Sequence, residues 1–220
     1  MLTRRLEPEV MDSPNDARDY DTMDHAEVNR RFVDDLLEHG HVEGEVLDLG
    51  VGTAQIPVEL CRRCERCRLL GVDLAETMLH LGRSRVEAEE LEGRIALQRE
   101  DAKRLTFPSR RFDAVISNSI VHHLPEPEQV FSEAARVVRR RGLLFFRDLL
   151  RPPDEATLEQ LVSTYAGSEP DHARQLFEDS LRAALTVDEV REIIVGLGFD
   201  QESVQTTSDR HWTWITRMED

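Results

Sequence analysis

Short apolar runs alternate with longer amphipathic stretches along most of this chain. Val28, Phe32, Val33, Leu36 and Leu37 recur at helical spacing and predict a helix from about residue 24 to residue 39, ending near Gly40. Beyond it, apolar runs predict strands at 45–49, 68–73, 94–99, 112–117 and 142–147, with helices at about 54–63, 76–91 and 127–139 between them. The link 101–111 is short enough to be only a turn. Alternation of this kind predicts an α/β fold with a parallel sheet covered on both faces, and right-handed crossovers make it doubly wound. The pattern then changes. Residues 153–184 read as helical in two pieces, broken around Gly167-Ser168-Glu169-Pro170. Thr186 and Glu189 form a capping box that opens another helix ending at Gly196-Leu197-Gly198. Strands at about 200–206 and 211–216, joined by Ser208-Asp209, predict an antiparallel hairpin. The organisation expected is an N-terminal arm and helix over 1–40, then one domain over 41–220 carrying residues 153–184 as a helical insertion.

Composition narrows the function classes. A chain of 220 residues, 40% hydrophobic and 33% charged, has the balance of a soluble domain with a full core. No apolar run approaches the roughly 20 residues that span a bilayer. Met1-Leu2-Thr3-Arg4-Arg5 lacks the apolar stretch of a secretory signal, so a cytoplasmic location is expected. The formal charge of −16 repels phosphate backbones and anionic lipid heads, which excludes nucleic acid and membrane as expected partners. Arg139-Arg140-Arg141 reads as a solvated helix end. Cys61, Cys64 and Cys67 share the spacing of some metal and cluster sites, but no fourth cysteine exists and the run falls far from the glycine loop described next. In a reducing compartment free thiols are expected, with no metal and no disulfide.

The strongest chemical signal is Val46-Leu47-Asp48-Leu49-Gly50-Val51-Gly52-Thr53-Ala54. A buried strand ends in an acid and a turn whose glycines, Gly50 and Gly52, let a ligand lie against bare backbone. A dinucleotide turn needs a third glycine where Gln55 stands, and Asp48 would set a negative charge beside a pyrophosphate. A carboxylate there suits a ligand with a positive end. The segment resembles motif I of the class I S-adenosylmethionine-dependent methyltransferases, acid-x-Gly-x-Gly-x-Gly, with Ala54 at the third glycine. The resemblance covers about residues 43–148. It implies the seven-stranded sheet of that family, order 3-2-1-4-5-7-6 with the last strand antiparallel, and S-adenosylmethionine as cofactor.

Strand tips then rank the remaining residues, because ligands of open α/β sheets sit outside the carboxyl ends of the strands. Asp73 ends the second strand, where it can accept both hydroxyls of a ribose or cap the helix that follows. Asp101 could accept an adenine amino group while Ala102 offers its N–H, and Asn118 ends the fourth strand. Ile120-Val121-His122-His123-Leu124-Pro125 resembles the His-His-Leu loop of small-molecule methyltransferases. Either His122 or His123 could take a substrate proton, or simply shape the loop. Further candidates on the acceptor side are Tyr20, Arg30, Arg147, Asp148, Tyr165 and His211, the last on a strand whose Trp212 and Trp214 read as core or as a pocket wall. The resemblance thus implies direct methyl transfer to a small-molecule acceptor. A nicotinamide-dependent oxidoreductase and a non-catalytic adenosylmethionine-binding protein are the alternatives.

Overall fold

The computed structural model describes residues 2–7, 26–39 and 42–219. Its seven strands follow the order β3-β2-β1-β4-β5-β7-β6 that the family resemblance implies. In chain order the elements are α1 (Ala26–Glu38), β1 (Gly44–Leu49), α2 (Gln55–Arg63), β2 (Cys67–Asp73), α3 (Glu76–Ala88), β3 (Ile95–Arg99), β4 (Phe112–Asn118), α4 (Glu128–Val137), β5 (Val138–Leu149), α5 (Glu155–Ala166), α6 (Asp171–Ala183), α7 (Val187–Gly196), β6 (Val204–Ser208) and β7 (His211–Arg217). The start expected for the first helix and its end at Gly40 lie outside the described residues.

The chain divides into two compact units. One comprises residues 10–118, 129–146 and 215–220. Here β1 pairs in parallel with both β2 and β4, and β2 with β3. Val46, Leu69, Ala114 and Ile116 bury one face of these strands against Phe32, Val33 and Leu36 of α1, with Phe32 meeting Phe145 edge-on at 5.0 Å. Such an aromatic pair contributes about 0.5–1.5 kcal/mol beyond its area. Gly71 is needed by close packing, since a Cβ there would stand 2.5 Å from the Val51 side chain. The second unit comprises 1–9, 119–128 and 147–214. Its core joins Leu149 to Leu158, Leu161 and Val162 of α5 and to Leu181 and Ala184, with Leu2 packed against it. The capping box of Thr186 and Glu189 is present in full. Trp212 and Trp214 are wholly buried in this unit, the core outcome of the two expected for them.

Four expectations are corrected. The fifth strand starts at Val138, not 142, because nothing interrupts the chain after Val137 and the β-branched, buried Val138 goes straight into extended backbone. Arg139-Arg140-Arg141 therefore lies on the exposed start of a strand, not on a helix end, and Arg139 pairs with Asp113 at 2.6 Å. Residues 201–203 form a 3₁₀ turn under the side chain of Asp200 before β6 begins. Residues 2–7 belong to the second unit, where Arg5 N–H donates to the Arg182 carbonyl at 3.0 Å and the Arg4 guanidinium to that of Ala183 at 2.7 Å.

The fourth correction concerns cysteine. Cys64 caps the end of α2 and Cys67 opens β2, so the turn brings their Cα atoms to 5.6 Å and the two sulfurs are bonded. Cys61 alone is a free, buried thiol. Alkylation of the chain, denatured without reductant, is expected to count one thiol, rising to three after reduction. Three thiols from the outset would show the pair to be open. Closing so short a loop stabilises by only about 2 kcal/mol or less, so reduction should lower the melting temperature modestly.

Candidate active site

The glycine turn after β1 is closed by its neighbour strand. Gly50 and Val51 both donate their N–H to the Val72 carbonyl, at 2.9 and 3.0 Å. The chain passes through φ +73° at Gly50, +52° at Gly52 and +61° at Ala54. Ala54 thus departs from the glycine pattern only in carrying a Cβ: it holds the left-handed backbone that glycine favours, which costs a non-glycine residue roughly 1–2 kcal/mol. A Cβ built on Gly52 meets no atom within 4 Å, so the turn presents open backbone.

Acids and amides ring this turn. Asp73 ties it to the second strand tip: Oδ2 accepts the Gly52 N–H at 2.9 Å and Oδ1 the Ala75 N–H at 2.9 Å. A carboxylate has about four lone-pair positions, so one such group can serve both backbone N–H groups and a ligand's hydroxyls. Asp48 is buried, and burial first, then the charge of Asp73, pushes its carboxyl well above the usual carboxylate range. A cationic ligand would reverse that by favouring the ionised form. Asn118 Oδ1 is buried with no hydrogen-bond partner among the described residues, an acceptor suited to a ligand's N–H or O–H. Asp101 accepts the Lys103 N–H at 2.9 Å and pairs with its ammonium at 3.1 Å, with Ala102 between them. The open backbone, the buried acid and the unpaired amide oxygen together fit a ligand carrying hydroxyls and a positive end, as S-adenosylmethionine does. Asn29, which the sequence reading passed over, reaches the start of α2 through Gln55 at 2.8 Å. Arg30, expected on the acceptor side, turns back to the Ala26 carbonyl on the exposed face of α1.

In the second unit, Ser119 leaves β4 at φ +59° and donates its N–H to the Arg147 carbonyl at 3.0 Å. A 3₁₀ turn then carries Val121–His123. His122 is only 3% exposed and its Nδ1 lies 2.5 Å from Asp148 Oδ1. Asp148, 1% exposed at the end of β5, also accepts the N–H groups of Val121 and Leu149, at 2.5 and 2.6 Å. The pair shifts in opposite directions. Burial alone would lower His122, but Asp148 and then Glu7 raise it above its ordinary value. Burial would raise Asp148, but His122 and the two amides hold it below the usual carboxylate range. His123 stacks on His122 with ring centroids 4.1 Å apart. Residues 2–7 complete the group. Glu7 Oε1 stands 3.3 Å from His122 Nε2 and 3.1 Å from His123 Nδ1, and Arg4 binds the carbonyls of His122 and Leu124.

The other acceptor-side candidates divide. Arg147 is buried, its Nε bonded to Thr213 Oγ1 at 3.1 Å. His211 is occupied at Nδ1 by Ser208 Oγ at 2.8 Å, and burial followed by Arg210 lowers it to about 4, so it is neutral near pH 7. Tyr165 is a surface residue, 42% exposed, bonded to Asp209 at 2.6 Å under the stacked guanidinium of Arg210. Tyr165 lies on α5 and its two partners in the turn between β6 and β7, so no local spacing in the sequence gave sign of that network. Tyr20 lies outside the described residues. A separate cleft of about 410 Å³, lined by Ser109, Arg110, Arg136, Arg140 and Met218, sits where β4 and β5 begin and contains none of these residues.

An open sheet of this order, with an acid and a glycine turn at the first strand tip and an acid at the second, defines a nucleoside-binding α/β enzyme. Residues 47–146 match the family described as a methyltransferase domain. The chain is 25% identical to a demethylmenaquinone methyltransferase of Bacteroides fragilis, over 71% of this chain and 68% of that protein. It is 40% identical to a phosphatidylethanolamine N-methyltransferase of Cereibacter sphaeroides, over 45% of this chain and 47% of that protein. Its fold superposes on a putative S-adenosylmethionine-dependent methyltransferase of Methanococcus maripaludis with a TM-score of 0.74, at 13% identity, covering 98% of both chains. The chain thus carries a methyltransferase domain over residues 47–146, in the fold of solved S-adenosylmethionine-dependent methyltransferases. Among the described residues, no helix is long and apolar enough to cross a membrane.

Proposed function

We propose that this methyltransferase acts on a small-molecule acceptor, with the His122–Asp148 pair taking the acceptor's proton. The observation that carries this reading is the 2.5 Å contact of His122 Nδ1 with a buried carboxylate, which fixes the ring and leaves Nε2 for chemistry. Small-molecule chemistry is supported by relatives named for a demethylmenaquinone and a phosphatidylethanolamine, and by a net charge of −16 that opposes nucleic acid. The same charge and the absence of long apolar runs favour a cytoplasmic location.

In this reading Asp73 accepts the ribose hydroxyls, Asp48 faces the positive end, Asp101 and Ala102 read the adenine, and Asn118 with the turn at Gly50 and Gly52 lines the methionine part. Bound S-adenosylmethionine supplies an electrophilic methyl, whose transfer leaves S-adenosylhomocysteine and frees a proton from the acceptor. His122 Nε2 receives that proton, and Asp148 stabilises the imidazolium that results. Arg147 and His123 border the acceptor. For Nε2 to act, the Glu7 carboxylate must yield its place or accept the proton in turn.

Calorimetry tests the cofactor half. Both S-adenosylmethionine and S-adenosylhomocysteine are expected to bind one equivalent, while NAD and NADP give no heat. Preference for a nicotinamide cofactor would overturn the assignment. A screen of small molecules with labelled methyl donor tests the acceptor half.

A further inference from the structure

Beyond the methyl-transfer reading, we infer that Glu7, His122 and His123 form a divalent transition-metal site, of which zinc is the simplest occupant. One Glu7 oxygen and one nitrogen from each histidine all lie within 4.8 Å of one another. Glu7 Oε1 is 3.3 Å from His122 Nε2 and 3.1 Å from His123 Nδ1. Ligands about 2.0–2.1 Å from a tetrahedral zinc stand roughly 3.4 Å apart, so small shifts admit an ion. Two imidazoles and one carboxylate suit zinc or another first-row cation, and three protein ligands leave a position open.

The surroundings supply what metal sites need beyond their ligands. Asp148 holds Nδ1 of His122 at 2.5 Å, which fixes the ring so that Nε2 faces Glu7. Ser180 Oγ donates to the Glu7 carboxylate at 3.1 Å. His122 is buried and its two partners are half-buried, so the site is shielded without being sealed. Two carboxylates, Glu7 and Asp148, outweigh the Arg4 guanidinium bound to the His122 carbonyl, and the balance favours a dication. Metal and proton compete for the one lone pair of His122 Nε2. A loaded chain therefore cannot use that nitrogen as a base, if His122 has that role.

Binding is read directly, so the result does not depend on turnover. Zinc titrated into the full chain near neutral pH is expected to bind one equivalent. Cobalt(II) should give visible bands without thiolate charge transfer. Glu7→Gln and His123→Ala, each checked for an unchanged melting curve, should weaken binding at least tenfold. Asp148→Asn should weaken it by about 10- to 100-fold, the usual effect of losing a carboxylate behind a ligating histidine. No bound zinc, a cobalt spectrum showing thiolate, or wild-type affinity in both Glu7→Gln and His123→Ala overturns the site. Glu7→Gln replaces a single half-buried oxygen, so it remains informative even if a histidine variant fails to fold.

Discussion

His122→Ala is expected to lose on the order of 10²- to 10⁴-fold in kcat while keeping its affinity for S-adenosylhomocysteine. The loss is expected in kcat because, in the proposed reading, the imidazole serves the acceptor's proton and holds no part of the nucleoside. Asp148→Asn should reproduce much of it, since the amide neither holds the ring in the same tautomer nor stabilises the imidazolium. The pH dependence gives the sign. Asp148 and Glu7 raise His122 above 6.5, so the base is free only at higher pH, and turnover should climb through a midpoint above 6.5. Asp148→Asn should move that midpoint down. Stability runs the other way. The raised histidine contributes fully below 6.5 and loses its contribution as pH rises through the folded value. The depressed Asp148 contributes above 3.8 and loses its contribution as pH falls through its own lower value. The pair therefore stabilises most between about 3.8 and 6.5, where it is least able to accept a proton. Full activity of His122→Ala from pH 6 to 9 would leave the dyad with a structural role only.

Asp73→Ala should weaken S-adenosylhomocysteine binding by on the order of 2–4 kcal/mol, tens- to several hundred-fold, through the loss of two hydrogen bonds to a charged acceptor. The structure adds a second route to the same loss. Asp73 also accepts the Gly52 N–H, so the variant frees the glycine turn as well as the ribose. Asp73→Asn separates the two, because its one carbonyl oxygen can still hold Gly52 while the diol loses a charged partner. An intermediate affinity for Asn is expected, with circular dichroism unchanged in both variants. Affinity equal to wild type in the alanine variant would leave Asp73 only its structural bonds to the Gly52 and Ala75 N–H groups.

Much of the fold follows from periodicity. Strand tips at Asp73 and Asn118 were legible because each ends an apolar run with a polar residue, Asp48 because an acid one residue before the end of β1 precedes a glycine turn, and the capping box at Thr186 because its side chains are fixed at a helix start. The boundary at Val138 was not, since a helix that passes directly into a strand leaves no glycine or proline to mark it. His122 and His123 stood out as a pair, but their roles divide on Asp148, a residue distant in sequence that only the strand register brings to 2.5 Å. Glu7 and Arg4 were further from view still. A charged N-terminal stretch reads as solvated unless something shows what it docks on, and that information resides in Ser180, Ala183 and the carbonyls of the histidine turn. The bonded Cys64 and Cys67 were missed because the expected compartment, not their spacing, decided the reading.

The docking of residues 2–7 bears on how this enzyme is handled at the bench. Arg4 ties the peptide chain to the carbonyls of His122 and Leu124, and Glu7 lies against both imidazoles. A polyhistidine tag fused upstream of Met1 would hang from the strand of backbone that touches the histidine pair. It would also bring its own imidazoles and any nickel retained from purification close to them. Rates and metal contents of such a fusion therefore describe tag and enzyme together, and a tag at the other end, or one cleaved before assay, keeps the two apart.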